Sequence, residues 1–177
     1  MSYASPSLSP QHLALHVVRP VLAHLSGPDA PGIDTDAAVA LLIGTAAQES
    51  KLRALDQIAG RDDRTLGPAY GLWQIEVATH DDIWDSYLRH RPALADRVAA
   101  LLAPWPSRAT QLATNLSYAA AIARLVYYRS SVKLPAPGDV AGAAAIWKRV
   151  YNTPAGKGTP EQYTDSWRTL VAPYWSL

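Results

Sequence analysis

The amino-acid sequence predicts a single α+β domain dominated by helix, and three observations support this class. The 177 residues suffice for one hydrophobic core, and 49% hydrophobic with 18% charged residues is typical of an ordinary globular chain. Most of the chain divides into segments with helical start and stop signals, separated by proline and glycine. One short segment instead alternates apolar and polar residues, which indicates a β-strand or hairpin.

The composition also argues against several functional classes. A net charge of +1 without a Lys/Arg stripe argues against nucleic-acid binding. The absence of cysteine excludes disulfides and thiol-based metal sites, and His12 and His16 have no carboxylate at helical spacing. No segment is long enough to span a bilayer, and residues 1–9 lack a basic patch followed by an apolar run. We therefore expect synthesis in the cytoplasm without an export signal, no membrane segment and no metal site.

The N-terminal region, residues 1–33, is predicted to hold one helix and a loop. The helix covers about 10–25 and is expected to kink at Pro20, whose ring and missing N–H disturb a helix interior. Prolines and a glycine at 28–32 then break the chain before the next helix.

The next helix is predicted to lie at the centre of the fold. Asp34 or Thr35 can cap its start, and it runs to about Leu55. Its stretch 37–47 is apolar on every side, which is typical of a helix buried all round. Gly44 in this stretch predicts the close approach of another backbone, at a cost of about 1 kcal/mol against alanine.

A β-element and five further helices are predicted after the central helix. Residues 72–77 alternate strictly and indicate a short strand or hairpin. Helices follow at about 79–89, 92–103, 108–131, 139–152 and 160–171. Thr159 as cap with Gln162 three residues on predicts a capping box at the last of these. The core therefore spans 34–155, and 156–177 carries the C-terminal helix.

Glu49 is the strongest candidate for a catalytic residue. It follows the apolar stretch, near the C-terminal end of the buried helix. Desolvation and the negative end of the helix dipole both disfavour its charged form, so both should raise its pKa. A protonated carboxyl group beside a cleft is what glycosidic cleavage requires, because the leaving oxygen must accept a proton. The alternative is a solvated glutamate that pairs with Lys51 or Arg53.

Four separated pieces of the chain resemble the lytic transglycosylase and goose-type lysozyme family. Glu49-Ser50 is similar to the Glu-Ser that ends the family's central helix. Gly71-Leu72-Trp73-Gln74-Ile75 is similar to its Gly-Leu-Met-Gln hairpin, with Trp73 in place of methionine. Asn115-Leu116-Ser117-Tyr118-Ala119 resembles the start of its second core helix, and Tyr151-Asn152 resembles the Tyr-Asn beside the catalytic glutamate. The order and spacing of these pieces carry the resemblance.

The resemblance implies a lysozyme-like fold with a small hairpin after the central helix. It implies cleavage of the β-1,4 bond between N-acetylmuramic acid and N-acetylglucosamine in peptidoglycan, with Glu49 as the acid and no cofactor. The residues expected to contact the glycan or orient the acid are Ser50, Tyr70, Trp73, Gln74, Tyr151 and Asn152. A wall-cutting fold without a signal peptide suits a bacteriophage protein made in the host cytoplasm. Such a protein acts on the wall in the periplasm, either as an endolysin released with a holin or as an enzyme carried in the virion.

The need for a second carboxylate depends on the reaction. The resemblance implies that transglycosylases use the substrate's own 6-hydroxyl, whereas inverting hydrolases place a second carboxylate roughly 6.5–9.5 Å from the acid. Asp62 or Asp63, in the loop before the hairpin, and Glu76 are the candidates. Strand alternation puts Gln74 and Glu76 on one face. The alternative for the two aspartates is pairing with the flanking arginines, and the sequence leaves hydrolysis and transglycosylation both open.

Two rival functions also stay open. The family follows Tyr-Asn with a small residue and glycine, whereas here Thr153, Pro154 and Ala155 precede Gly156. This departure favours a non-catalytic phage structural or adaptor protein that retains the fold. The second rival is a chitin- or chitosan-degrading relative, which shares the layout of an acid on a buried helix.

Overall fold

The computed structural model describes residues 8–53, 55–58 and 66–176. This part of the chain is mostly helical with one small antiparallel sheet, which confirms the predicted α+β class. Three helices are continuous: α2 (Asp36–Ser50), α4 (Pro92–Ala99) and α6 (Leu116–Tyr128). A short helix, α5, covers Gln111–Thr114. Four contain π-helical or 3-10 turns: α1 (Pro10–Leu13, Ala14–Val18, Arg19–Leu25), α3 (Val77–Asp82, Ile83–Tyr87, Leu88–His90), α7 (Val140–Ile146, Trp147–Asn152) and α8 (Pro160–Ser166, Trp167–Val171, Ala172–Tyr174). The strands are β1 (Asp56–Ile58), β2 (Leu66–Tyr70) and β3 (Ile75–Glu76).

Helix α2 is buried as predicted. The Thr35 hydroxyl accepts a hydrogen bond from the Ala38 backbone N–H, so it caps the helix. Every side chain from 38 to 47 is buried. The helix ends at Ser50, because Lys51 and Leu52 adopt left-handed backbone angles with φ of 54° and 57°. The predicted end near Leu55 is therefore wrong, and Glu49 lies in the last turn.

Gly44 lies against side chains of α8. The predicted close approach of another backbone is therefore wrong. A Cβ atom at this position would lie 2.0 Å from the Tyr163 hydroxyl oxygen and 3.1 Å from Trp167. Tyr163 also donates a hydrogen bond to the Leu41 carbonyl oxygen at 3.3 Å. Gly44 is therefore the contact point at which α8 packs on α2.

Helix α6 is the second buried helix. It begins within the segment 108–131, which the sequence predicts as one continuous helix. The Asn115 side chain accepts a hydrogen bond from the Tyr118 backbone N–H and donates one to the Leu101 carbonyl. The backbone of Asn115 is extended, so this residue ends α5 and caps α6. The hydroxyl oxygens of Thr45 and Tyr127 lie 2.7 Å apart and join α2 to α6.

The sheet lies beside the C-terminal end of α2 in the order β1-β2-β3. Ala69 pairs with Glu76 and Tyr70 with Ile75, so β2 and β3 form an antiparallel hairpin. Residues 71–74 form its turn, where Gly71 has φ of 77°. The predicted hairpin is therefore present, but residues 71–74 form its turn and only Ile75 and Glu76 of the segment 72–77 are extended, so a single strand over 72–77 is wrong.

Helix boundaries elsewhere differ modestly from the prediction. Helix α3 begins at Val77 instead of near Thr79, and α4 ends at Ala99 instead of 103. The predicted capping box at α8 is confirmed: Gln162 N–H donates to the Thr159 hydroxyl, and Thr159 N–H donates to the Gln162 side-chain oxygen. In the part of the chain that the structure describes, no helix has the length and apolar character needed to cross a membrane.

Candidate active site

A cavity of about 840 Å³ opens between the C-terminal end of α2, the β2–β3 hairpin and the loop after α7. It brings together six of the ten residues predicted for the site, although they come from three separate parts of the chain. These six are Glu49, Ser50, Gln74, Glu76, Tyr151 and Asn152. The burial of α2 explains this placement, since its last turn emerges from the core at the cavity wall.

Glu49 lies partly buried on the wall of this cavity. Burial raises its pKa from an ordinary 4.5 to about 7, although a hydrogen bond from Trp147 and the charge of Lys51 lower it. Glu49 forms no ion pair with any described residue. Lys51 instead donates hydrogen bonds to Gln48 Oε1 and Ser166 Oγ. The alternative of a glutamate paired with Lys51 or Arg53 is therefore not what the structure contains.

Trp147 is a site residue that sequence reasoning missed. Its indole Nε1 donates a hydrogen bond of 2.7 Å to Glu49 Oε1, and its side chain is 1% exposed. The two residues are 98 positions apart, so no local pattern links them. The available signal was the position of Trp147, one helical turn before Tyr151 on the segment that carries the Tyr-Asn motif.

Tyr151 connects α7 to the hairpin turn beside Glu49. Its hydroxyl donates a hydrogen bond of 2.7 Å to the Trp73 carbonyl oxygen, and its ring stacks on Tyr127 with centroids 5.2 Å apart. Burial of the hydroxyl, together with the nearby charge of Glu49, raises the pKa of Tyr151 well above its ordinary value. Tyr151 therefore stays neutral and holds the turn in place.

Two residues predicted to contact substrate lie elsewhere. Trp73 is 0% exposed, and its indole Nε1 donates to the Leu42 carbonyl oxygen at 2.9 Å. Its predicted contact with a sugar is therefore wrong, and its side chain ties the hairpin turn to the middle of α2. Tyr70 is half-buried, packs against the hydrophobic core and does not line the cavity. Its contact with substrate is not supported by this position.

Three polar residues at the cavity wall are oriented by hydrogen bonds within the protein. The Ser50 hydroxyl donates to the Ala46 carbonyl, and Gln74 Nε2 donates to the Gly71 carbonyl at 2.8 Å. Asn152 Oδ1 accepts from Lys148 Nζ at 2.8 Å. These bonds fix the side chains before any ligand arrives, which lowers the entropy cost of binding.

Of the candidates for a second carboxylate, the structure describes only Glu76. Glu76 is exposed, precedes α3 at the N-cap position without a side-chain capping hydrogen bond, and lines the same cavity as Glu49. Gln74 and Glu76 share this cavity although they do not alternate along one strand, because Gln74 ends the turn that leads into β3. Asp62 and Asp63 lie outside the described residues.

Backbone strain is concentrated at the cavity. Among the described residues, five other than glycine have positive φ, and three of these line the cavity. These are Lys51 (54°), Gln74 (46°) and Thr153 (63°). Such conformations cost about 1–3 kcal/mol each and persist where the surrounding structure imposes them, most often at functional sites.

The arrangement offers one carboxyl group with a pKa of about 7, one fixed donor to it, one exposed carboxylate and several oriented polar groups around a cavity open to solvent. This set suits proton transfer to a leaving oxygen of a polar ligand. Comparison of the chain with protein-family models, with curated proteins and with solved structures gives no match in any of the three.

Proposed function

We propose that this protein is a peptidoglycan-cleaving glycosidase of lysozyme-like fold, with Glu49 as its general acid. The observation that carries the proposal is a glutamate with a pKa raised to about 7, placed at the wall of a solvent-open cavity. The bond cut is the β-1,4 link between N-acetylmuramic acid and N-acetylglucosamine, as the resemblance of four sequence pieces implies. The same resemblance supports a protein that acts on the bacterial cell wall.

The hydrogen bond from Trp147 defines how Glu49 delivers its proton. Because Trp147 Nε1 donates to Oε1, that oxygen is the acceptor of the neutral carboxyl group and the proton resides on Oε2. The Oε2–H group transfers its proton to the glycosidic oxygen as the C–O bond breaks. The carboxylate that forms keeps the indole N–H bond, which becomes charge-assisted and stronger.

The second half of the reaction follows one of two routes. Glu76 lines the same cavity and supports hydrolysis, in which a carboxylate activates water. Attack by the substrate's own 6-hydroxyl needs no such residue. Mass spectrometry of the released muropeptides separates the routes: reducing ends indicate hydrolysis, and anhydro ends lighter by one water indicate transglycosylation.

The proposal is tested with a peptidoglycan zymogram of the wild type and Glu49→Gln. Glutamine keeps the size and the acceptor for Trp147 but supplies no acid proton, so we expect activity to fall by roughly 10²–10⁴-fold. Glu161→Gln is the control, since Glu161 is exposed on the first turn of α8. Equal clearing by wild type and Glu49→Gln, or clearing by neither, overturns the proposal.

The same assay addresses the two rivals. Clearing by neither protein favours the non-catalytic phage structural protein. Turnover of chitooligosaccharides by the wild type, without release of muropeptides from walls, favours the chitin-degrading relative.

A further inference from the structure

A second cavity, of about 770 Å³, adjoins the candidate active site. The two cavities share Val126 of α6. Helix α3 also contributes to both, with Thr79 in the first and Ser86 in the second, about two turns further along. On α7, Val150 lines the second cavity and the next residue, Tyr151, lines the first. Because the same three helices line both spaces and Val126 lines each of them, the two cavities lie side by side; together they are called the groove below.

The second cavity differs from the first in charge. Two arginines, Arg129 and Arg149, line it, and no aspartate or glutamate does among the described residues. Arg129 is ion-paired with Asp82 of α3. Arg149 is exposed and forms no ion pair with a described residue. This end of the groove is therefore basic, and Arg149 can bind a ligand without losing an existing ionic partner.

We propose that Arg149 and the second cavity bind the free carboxylates of the peptide stems of peptidoglycan; this inference rests on the proposed function. The sugar backbone between stems is uncharged, whereas the stems end in carboxylates. A guanidinium binds a carboxylate through two parallel N–H···O bonds, which gives direction as well as energy. A strand held at Glu49 extends along the groove and places a stem beside Arg149. Arg149 is thus a specificity residue for stem-bearing glycan.

The test compares native peptidoglycan with the same material after chemical amidation of its carboxyl groups. For Arg149→Gln we expect KM to rise roughly tenfold on the native material, with kcat little changed, as for the loss of one guanidinium–carboxylate contact at an exposed site. On amidated material, wild type and Arg149→Gln should have the same KM. Arg168→Gln is the control, since Arg168 is exposed on α8 and pairs with Asp165. Equal KM values on native material, or equal rises on both materials, overturn the inference.

A binding measurement separates this inference from the proposed function. Titration of a soluble muropeptide into the inactive Glu49→Gln protein, with and without Arg149→Gln, reports recognition without turnover. Affinity about tenfold weaker in the double variant, with unchanged affinity for an uncharged chitooligosaccharide, supports stem binding. If the wild type cleaves nothing, the proposed function fails, and the same titration still decides whether Arg149 binds stems. Equal affinities, or no muropeptide binding, overturn the inference.

Discussion

Glu49 combines burial, which retains its proton, with access to a cavity, through which the proton can leave. Both properties follow from its position in the last turn of a helix that is buried over the ten preceding positions from 38 to 47. One turn earlier the carboxyl group would lie deeper, with no route to a ligand. Beyond Ser50 the chain turns away in a left-handed conformation. Only the last turn of this helix therefore combines burial with access to the cavity.

The raised pKa of Glu49 predicts the basic limb of the pH–rate profile. The acid must be protonated to act, so kcat/KM should fall about tenfold per pH unit once the pH rises above about 7. The measurement is kcat/KM on soluble glycan between pH 5 and 9. A rate that stays level to pH 9 would show that no acid with this pKa takes part.

Trp147 predicts a second effect at the same residue. Its hydrogen bond lowers the pKa of Glu49, so Trp147→Phe should raise that pKa and move the basic limb to higher pH. The maximal rate should also fall, because the carboxyl group loses the donor that orients it.

Trp84→Phe is the matched control for this variant. Trp84 donates its indole N–H to the Tyr118 hydroxyl at 2.8 Å and does not line the cavity. Both variants lose one indole hydrogen bond, but only Trp147→Phe should move the basic limb. An equal displacement in the two variants would contradict the assigned role of Trp147.

At the scale of elements, α2 is positioned by contacts at its middle. Tyr163 of α8 packs against Gly44, the Tyr127 hydroxyl of α6 bonds to Thr45, and the Trp73 indole bonds to the Leu42 carbonyl. Two helices and the hairpin turn therefore all contact the middle of α2. This shared attachment places Glu49, the hairpin and α7 around one cavity.

Gly44→Ala tests this packing. The added Cβ would lie 2.0 Å from the Tyr163 hydroxyl oxygen, so α8 must shift or repack, at a cost of about 1–3 kcal/mol in unfolding free energy. Urea unfolding measures the loss. Gly138→Ala is the control, because a Cβ there meets nothing within 4 Å, and its effect should stay within about 0.5 kcal/mol. A Gly44→Ala protein as stable as the wild type would show that α8 does not constrain α2.

For the whole molecule, the burial of Glu49 links stability to pH. The folded pKa is about 7 and the ordinary value is 4.5, so between these values the folded protein keeps a proton that the unfolded chain has lost. The contribution of Glu49 to stability is fully present below about pH 4.5 and is lost as the pH rises to about 7. At higher pH the buried charge costs up to about 3 kcal/mol.

Glu49→Gln should remove this dependence. At pH 8 we expect the variant to be more stable than the wild type by up to about 3 kcal/mol, and at pH 4 the two should be equal. Chemical denaturation at both pH values measures the difference. A variant that gains nothing at pH 8 would place Glu49 in bulk solvent, which would also remove the basis of its role as an acid.

Features set by neighbouring residues were predicted well from the sequence. The capping box of Thr159 and Gln162, the Thr35 cap and the buried stretch of α2 each depend on residues within a few turns of one another. The raised pKa of Glu49 was also predicted, because the same stretch that buries the helix desolvates its last turn. Local hydrogen bonds and periodicity depend on residues that are close together in the sequence, so sequence patterns predict them.

Features set by packing between distant segments were decided only by the tertiary structure. The alternation over 72–77 indicated a strand or hairpin, but only the tertiary structure shows that 71–74 form the hairpin's turn, where Trp73 donates a hydrogen bond to the Leu42 carbonyl oxygen. The donor to Glu49 is Trp147, and the second cavity lies beside the first because α3, α6 and α7 line both. These outcomes depend on which side chains meet when α2, α6, α7 and the hairpin pack together. No local rule contains that information, because the free energy of each contact depends on the whole arrangement.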